Sequence, residues 1–248
     1  MKLIVLGSGT CVPSLKRSAP AYYLEAEGKQ ILIDCGSGTL LQLERIGKSY
    51  KDIDAVFITH THPDHIADLM PLIHALLATP LFTREKDLFL IGSKGFKKFY
   101  EKCIASVMGK PKTFSIQTIE IEDKMDYPPF QILAAKTVHS ENSIAFRFEY
   151  RGKSLVITGD ADYDQDIIEL SNNTDLLIAD CSFTESMKGQ GHMTPKECGL
   201  VAKKAGARKL LLSHFYPLPF PDDERIKECR QVFNGDVSLA EDFLEFNI

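Results

Sequence analysis

The feature that most constrains this chain is a short apolar run, Ile53 to Ile58, that stops abruptly in Thr59-His60-Thr61-His62-Pro63-Asp64-His65. The run is rich in β-branched and aromatic residues and predicts a buried β-strand, while the polar residues and the proline predict a turn into a helix beginning near Ile66. Imidazoles at i and i+2 of an extended backbone project the same way, and Pro63 suits a first helical turn. Three imidazoles and a carboxylate therefore converge on a small volume. That is the donor set of zinc, and equally of iron or manganese. A polar loop that happens to be histidine-rich is the bland alternative, and a chain with only seven histidines makes it a poor one. A closed structural zinc site is also disfavoured, because thiolates usually complete such sites and this loop has none.

Composition narrows the function classes. With 248 residues, 44% of them hydrophobic and 25% charged, the chain has the make-up of a folded globular protein rather than a disordered one. A net charge of −5 supplies no global positive field to hold a long polyanion. A large nucleic-acid footprint is disfavoured, which leaves room only for a local basic patch. The apolar start, Met1 to Leu6, stops at Gly7, too short for a signal peptide or a membrane span, so a cytoplasmic protein without a membrane partner is expected. Cys11, Cys35, Cys103, Cys181, Cys198 and Cys229 form no CxxC pair and read as reduced, mostly buried thiols.

Along the chain, strands keep ending in potential ligands. Lys2 to Leu6 runs into Gly7-Ser8-Gly9, which lacks the third glycine and the following helix of a dinucleotide fingerprint. Ala21–Glu25 and Gln30–Ile33 form a hairpin through Glu27-Gly28-Lys29 and end at Asp34, before a helix over Thr39–Ile46. The motif helix is expected to continue through His74 and Leu77, with His74 a packing or surface residue rather than a ligand, and Ala78–Arg84 a proline-broken loop beside the site. Leu88–Ile91 reads as a strand and Gly95–Ala105 as a helix whose lysines make a solvated face. In the second half, Thr113–Glu120 and Phe130–Val138 lead to His139, and Ser143–Tyr150 with Ser154–Ile157 form a hairpin through Arg151-Gly152-Lys153 that leads to Asp160. A helix over Gln165–Ser171, a strand ending at Asp180, a helix capped by Thr194 and Pro195, and a strand ending at His214 complete the pattern. The two halves share one alternation, which implies an internal duplication. The economical architecture is a single α/β (α+β) domain over residues 1–248, folded as a four-layer αββα sandwich with its site at the strand ends.

The donors divide by chemistry. His60, His62 and His139 can hold one metal ion, Asp64, His65 and His214 a second, and Asp160 can bridge them. Two ions about 3.5 Å apart would share a water, lower its pKa and neutralise charge developing on an attacked ester. That shared water is the expected nucleophile. No serine or cysteine outside the cluster has a persuasive histidine partner, so a covalent mechanism ranks lower. Asp34 either caps the turn after its strand or orients a ligating histidine through the other ring nitrogen. His192, on a glycine loop, is either an ordinary exposed histidine or a general acid or oxyanion partner oriented by Asp180.

His60-Thr-His62-Pro-Asp64-His65, followed by His139, Asp160 and His214, resembles the metallo-β-lactamase superfamily over nearly the whole chain. Within it, Leu6-Gly-Ser-Gly-Thr10, Asp34-Cys-Gly-Ser-Gly-Thr39 and Gly191-His-Met-Thr-Pro195 resemble the ribonuclease Z group. The resemblance implies the metallo-β-lactamase fold and two zinc ions, with manganese or iron(II) as substitutes, held as distributed above. It also implies a proton-accepting role for Asp64 and a phosphate-assisting role for His192. Two departures matter. Ribonuclease Z proper carries a long tRNA-gripping arm between the positions of His139 and Asp160, where this chain has only 20 residues, and the arginine expected soon after His214 is replaced by Phe215-Tyr216-Pro217-Leu218-Pro219-Phe220. The resulting expectation is a dinuclear zinc phosphodiesterase acting on a small phosphodiester, with a cyclic nucleotide or cyclic phosphate among the candidates and the Phe215–Pro221 loop shaping its pocket. The alternatives are a tRNA 3′-end endonuclease, whose homodimer partner would replace the arm, and a non-catalytic metal-bound binding module, for which the complete set of seven ligand positions is a poor fit.

Overall fold

A computed structural model describes residues 1–218 and 221–248; Pro219 and Phe220, within the Phe215–Pro221 loop expected to shape the pocket, lie outside the described residues. Two seven-stranded sheets stack face to face with helices on their outer faces, the expected four-layer α/β sandwich. The first sheet runs β14 (Glu245–Asn247), β1 (Lys2–Gly7), β2 (Ala21–Ala26), β3 (Lys29–Ile33), β4 (Ala55–Phe57), β5 (Leu88–Gly92), β6 (Ile116–Glu120). The second runs β13 (Asp236–Leu239), β12 (Lys209–Ser213), β11 (Leu176–Asp180), β10 (Lys153–Ile157), β9 (Ile144–Tyr150), β8 (Phe130–Lys136), β7 (Lys124–Tyr127). The outer layers contain α1 (Thr39–Arg45), α2 (Pro63–Ile66), α3 (Leu69–Ala78), α4 (Phe96–Phe99), α5 (Ser106–Met108), α6 (Gln165–Leu170), α7 (Pro195–Ala205) and α8 (Asp222–Arg230), with a π-helical stretch at Tyr100–Ala105 between α4 and α5.

Both sheets follow one plan. A hairpin leads into a run of parallel strands: β2–β3 turns through Glu27 and Gly28 (φ 48° and 77°), β9–β10 through Arg151 and Gly152 (φ 49° and 74°). Positive φ at both central residues is the turn whose twist matches that of the flanking strands. From there β3 to β6 and β10 to β13 are parallel, so the C-terminal ends of β3, β4, β10, β11 and β12 lie along one edge of the sandwich. Ile144 N donates to Thr59 O (3.0 Å) and Tyr22 Oη pairs with Ser213 Oγ (2.8 Å), closing the two sheets together at that edge.

Side chains of β1 alternate between layers. Leu3 and Val5 enter the core between the sheets, whereas Ile4 and Leu6 meet the helices over the first sheet, where Leu69, Leu72, Ile73 and Leu76 of α3 form an apolar stripe at helical spacing. Phe57 lies at the centre of the inter-sheet core, with edge-on contacts to Phe148, Phe146 and Tyr127 at centroid distances of 5.1, 5.4 and 5.8 Å. All six cysteines are free thiols and four are buried. No helix among the described residues is long and apolar enough to cross a membrane.

Two expectations are corrected. The motif helix is not continuous: α2 and α3 are separate because Asp68 turns away, its N–H donating to Cys35 O (2.9 Å) and its Oδ2 accepting from Leu40 N (3.0 Å), so that it caps α1 from outside. Nor does Ala78–Arg84 lie beside the strand-end site. The Arg84 guanidinium donates to the carbonyls of Lys51 (3.0 Å) and Ile53 (2.8 Å), which fastens that segment to the start of β4, opposite its histidine end. Four elements, β7, β13, β14 and α8, carried no clear pattern; the strands are three or four residues long and α8 buries only Arg225 and Cys229.

Phe57→Ala is expected to destabilise the protein by about 3–5 kcal/mol, because it removes the common partner of three aromatic contacts between the sheets. Urea unfolding would measure it, and a loss below about 1 kcal/mol would contradict this packing.

Candidate metal centre

The seven expected donors come together at the strand-end edge. Around the first position, His60 Nε2 and His139 Nε2 each lie 3.0 Å from His62 Nδ1, and 3.7 and 3.5 Å from Asp160 Oδ2. Around the second, His65 Nε2 and His214 Nε2 each lie 3.1 Å from Asp160 Oδ1, and 3.8 and 3.6 Å from Asp64 Oδ2. Asp160 thus turns one carboxylate oxygen to each group. His60, His65, His214 and Asp160 are buried, His139 and Asp64 partly so, and His62 is the exposed member.

Hydrogen bonds fix which ring nitrogen is free. His65 Nδ1–H donates to Asp34 Oδ2 (2.7 Å), and His139 Nδ1–H to Gly191 O (3.0 Å). His60 Nδ1–H reaches Thr59 Oγ1 (3.1 Å), which in turn donates to Asp34 Oδ2 (2.9 Å). His214 Nδ1–H reaches Ser182 Oγ (2.8 Å), which donates to Asp180 Oδ1 (2.5 Å), while Asp180 Oδ2 accepts from His192 Nδ1–H (2.7 Å). Two buried carboxylates therefore orient two histidines each, one directly and one through a hydroxyl. In each of these rings Nε2 points away from the group that holds Nδ1, and in His60, His65, His139 and His214 it points toward Asp160.

A metal fits these residues. His65 Nε2, His214 Nε2 and Asp160 Oδ1 are buried and have no hydrogen-bond partner. Buried polar atoms left without a partner are costly, and a cation among them removes the penalty. His60, His62, His139 and Asp160 present one donor atom each within 4.8 Å of one another, as do Asp64, His65 and His214. At two of the donors electrostatics favour the ligating form, while the Asp160 carboxylate raises His65 and His214 against the effect of their burial. Burial, reinforced by the neighbouring His65, pushes His60 far below the usual imidazole range and keeps it neutral. Burial would raise Asp160, but His214 and His65 outweigh it and hold the carboxyl well below its ordinary range.

Local backbone demands are met where the loops approach. Asp34 and His214 adopt left-handed φ values of 57° and 63°, uncommon for residues with a side chain and frequent at functional sites. Phe215, directly after His214, is clamped between the guanidiniums of Arg17 and Arg225, 4.6 and 4.8 Å from its ring centroid, and its N–H donates to Ser8 O (3.0 Å). Gly159, before Asp160, has φ 58°, and a Cβ there would come within 2.6 Å of Thr59 Cβ. Beside the donors, Phe183 stacks on Tyr216 (5.4 Å, 12°), and their edges meet His192 (5.6 Å) and His214 (6.3 Å). His74 is exposed on α3 and belongs to neither donor group. Sequence reasoning missed Thr59 and Ser182; each sits within two residues of a site residue, but a hydroxyl there has no signature of its own.

Comparisons with known proteins agree with this geometry. The model of the family described as anti-Pycsar protein Apyc1 matches residues 1–237. The chain is 33% identical over 247 residues to the probable metallo-hydrolase YhfI of Bacillus subtilis, covering 97% of each chain. It superposes on the crystal structure of that metallo-β-lactamase fold protein with a TM-score of 0.87 at 30% identity, over 99% of this chain and 98% of the other. Ribonuclease Z of Archaeoglobus fulgidus is 24% identical over 304 aligned positions, covering 100% of this chain and 97% of its own length. The crystal structure of human tRNase Z, short form, superposes with a TM-score of 0.79 at 26% identity, over 100% and 99% of the two chains.

Asp34→Asn is expected to weaken metal binding by about 10–100-fold, since the buried carboxylate that sets two imidazoles is neutralised. Competition with a chromophoric chelator would read it, and an unchanged affinity would contradict the role given to Asp34.

Proposed function

Because the chain belongs to the anti-Pycsar protein Apyc1 family, among the metal-dependent hydrolases of the metallo-β-lactamase fold, we propose that it is a dinuclear zinc phosphodiesterase acting on a small, cyclic phosphodiester. The observation that carries this reading is the placement of Asp160, one oxygen facing each group of nitrogen donors. His60, His62 and His139 would hold one zinc ion and Asp64, His65 and His214 the other, with Asp160 shared; manganese or iron(II) suits the same donors. When bound, the ions supply a lowered pKa for an attacking water and neutralise charge developing on the phosphate.

The chain's own groups do the rest. Asp64, the most accessible carboxylate of the cluster with a side chain 10% exposed, accepts the proton of the attacking water. His192, held through Nδ1 by Asp180 and lying between the rings of His139 (4.7 Å) and His214 (5.7 Å), donates from its other nitrogen to the leaving oxygen. The stacked Phe183 and Tyr216 offer a flat apolar wall to a planar part of the substrate, such as the base of a cyclic nucleotide.

Substrate size is argued from what lies between the ligands. Only 20 residues separate His139 from Asp160, and they form β9, the two-residue turn and β10, leaving no extended arm to embrace an RNA. Kinship favours a second reading, RNA cleavage, because proteins named ribonuclease Z match over the full chain. In that case a second copy of the chain would have to supply the missing surface. A non-catalytic metal-binding module is disfavoured, since all seven donors are present.

Asp64→Ala is expected to abolish turnover and weaken the second ion. His192→Ala should slow turnover by about 10²–10⁴-fold with both ions retained. Assays on bis(p-nitrophenyl) phosphate, a 3′,5′-cyclic nucleotide and a 3′-extended precursor tRNA, on protein of counted metal content, would test the reading. Discrete tRNA cleavage with intact small esters would replace it by the second one.

A further inference from the structure

The loop from Cys181 to Thr194, between β11 and α7, has little structure of its own: a single 3₁₀ turn at Glu185–Met187. Yet it sets three histidines of the cluster, one of them His214, whose Nδ1–H reaches Ser182 Oγ (2.8 Å). It carries His192, and its Gly191 carbonyl accepts from His139 Nδ1–H (3.0 Å). Gly191 sits at φ 78°, and a Cβ there would lie 2.9 Å from His139 Nδ1, so the loop backbone and the His139 ring are in direct contact.

One side chain ties this loop down. Lys188 Nζ donates to His192 O (2.6 Å), to Glu197 Oε2 (2.7 Å) and to Asp162 Oδ1. All three ammonium hydrogens are thereby used, each on a different element. Glu197 belongs to the capping box that starts α7, with Oε2 also accepting from Thr194 N (2.9 Å). Asp162 follows Asp160; its Oδ2 accepts from Gly191 N (3.1 Å) and its N–H donates to Val138 O (2.9 Å). A closed circuit results, running from Lys188 to Asp162, to Gly191 and along the chain to His192, whose carbonyl returns to Lys188; Gly191 O extends it to His139. The lysine side chain is 32% exposed and its two carboxylate partners 22% and 26%, so the ion pairs contribute order more than stability.

We propose that Lys188 is a positioning residue: by clamping Asp162, the His192 carbonyl and the α7 cap together, it holds Gly191 O where it fixes the His139 tautomer and keeps His192 beside the cluster. The inference rests on the reading of His139 as a metal ligand, but needs no particular substrate.

The test is Lys188→Met in the full chain. It is expected to lower the affinity of one of two zinc sites by about 10-fold or more, measured by chelator competition. In the metal-free protein, ¹⁵N–¹H long-range spectra should show His139 losing its fixed Nδ1–H tautomer, while thermal unfolding of that protein moves by only a few degrees. Turnover of bis(p-nitrophenyl) phosphate should fall in parallel. Wild-type affinity together with a wild-type His139 tautomer would overturn the proposal, whatever happens to turnover. If neither protein cleaves any phosphodiester but the affinity and tautomer differences persist, the phosphodiesterase reading fails and the clamp stands. Should Lys188→Met fail to fold, Asp162→Asn, which removes the ion pair yet keeps an acceptor for Gly191 N, must give the same pattern; wild-type behaviour there overturns it equally.

Discussion

Everything at the strand-end edge depends on one buried carboxylate. Asp160 is 4% exposed, faces four imidazoles from two directions, and leaves Oδ1 without a hydrogen bond beside the equally unpartnered Nε2 atoms of His65 and His214. Without a cation, such a cluster retains several of the penalties that buried polar groups normally avoid. The fold tolerates it because the surrounding contacts over-determine the loops. Thr59 and Ile144 bind the two sheets across the site, Phe215 is wedged between two arginines, and glycine at 159 lets the Asp160 loop lie on Thr59.

Orientation of the imidazoles is a separate layer of the design. Asp34 and Asp180 lie at the ends of different strands in different sheets, yet act alike, each taking one histidine directly and one through a hydroxyl. The ligands lie within a few residues of strand ends or on the short α2 that follows β4, close to the ladders that hold the backbone. A parallel strand fixes its terminal residue to within the precision of the ladder beside it, as Asp180 opposite Ser213 illustrates.

Much of this was legible in the chain. Apolar runs ending in Asp34, His60, His139, Asp160, Asp180 and His214 marked the strands and their common edge, and Glu27-Gly28-Lys29 and Arg151-Gly152-Lys153 marked the two hairpins, whose turn geometry only the structure shows. What stayed hidden followed from tertiary context. Asp68 breaks the motif helix only because the start of α1 is there to be capped, and Arg84 draws its segment to the far end of β4 through carbonyls distant in sequence. Short edge elements such as β7 and β14 have too few residues for a period to declare itself. Thr59, Ser182 and Lys188 are ordinary residues by type, and only their partners give them a role.

The reading turns on whether the two donor groups around Asp160 would hold two ions that share it. Anomalous diffraction at the zinc edge, from crystals of protein reconstituted with zinc, tests this most directly. Two peaks about 3.5–4 Å apart are predicted, one among His60, His62 and His139 and the other among Asp64, His65 and His214. A single peak, or a second one away from Asp160, would contradict it.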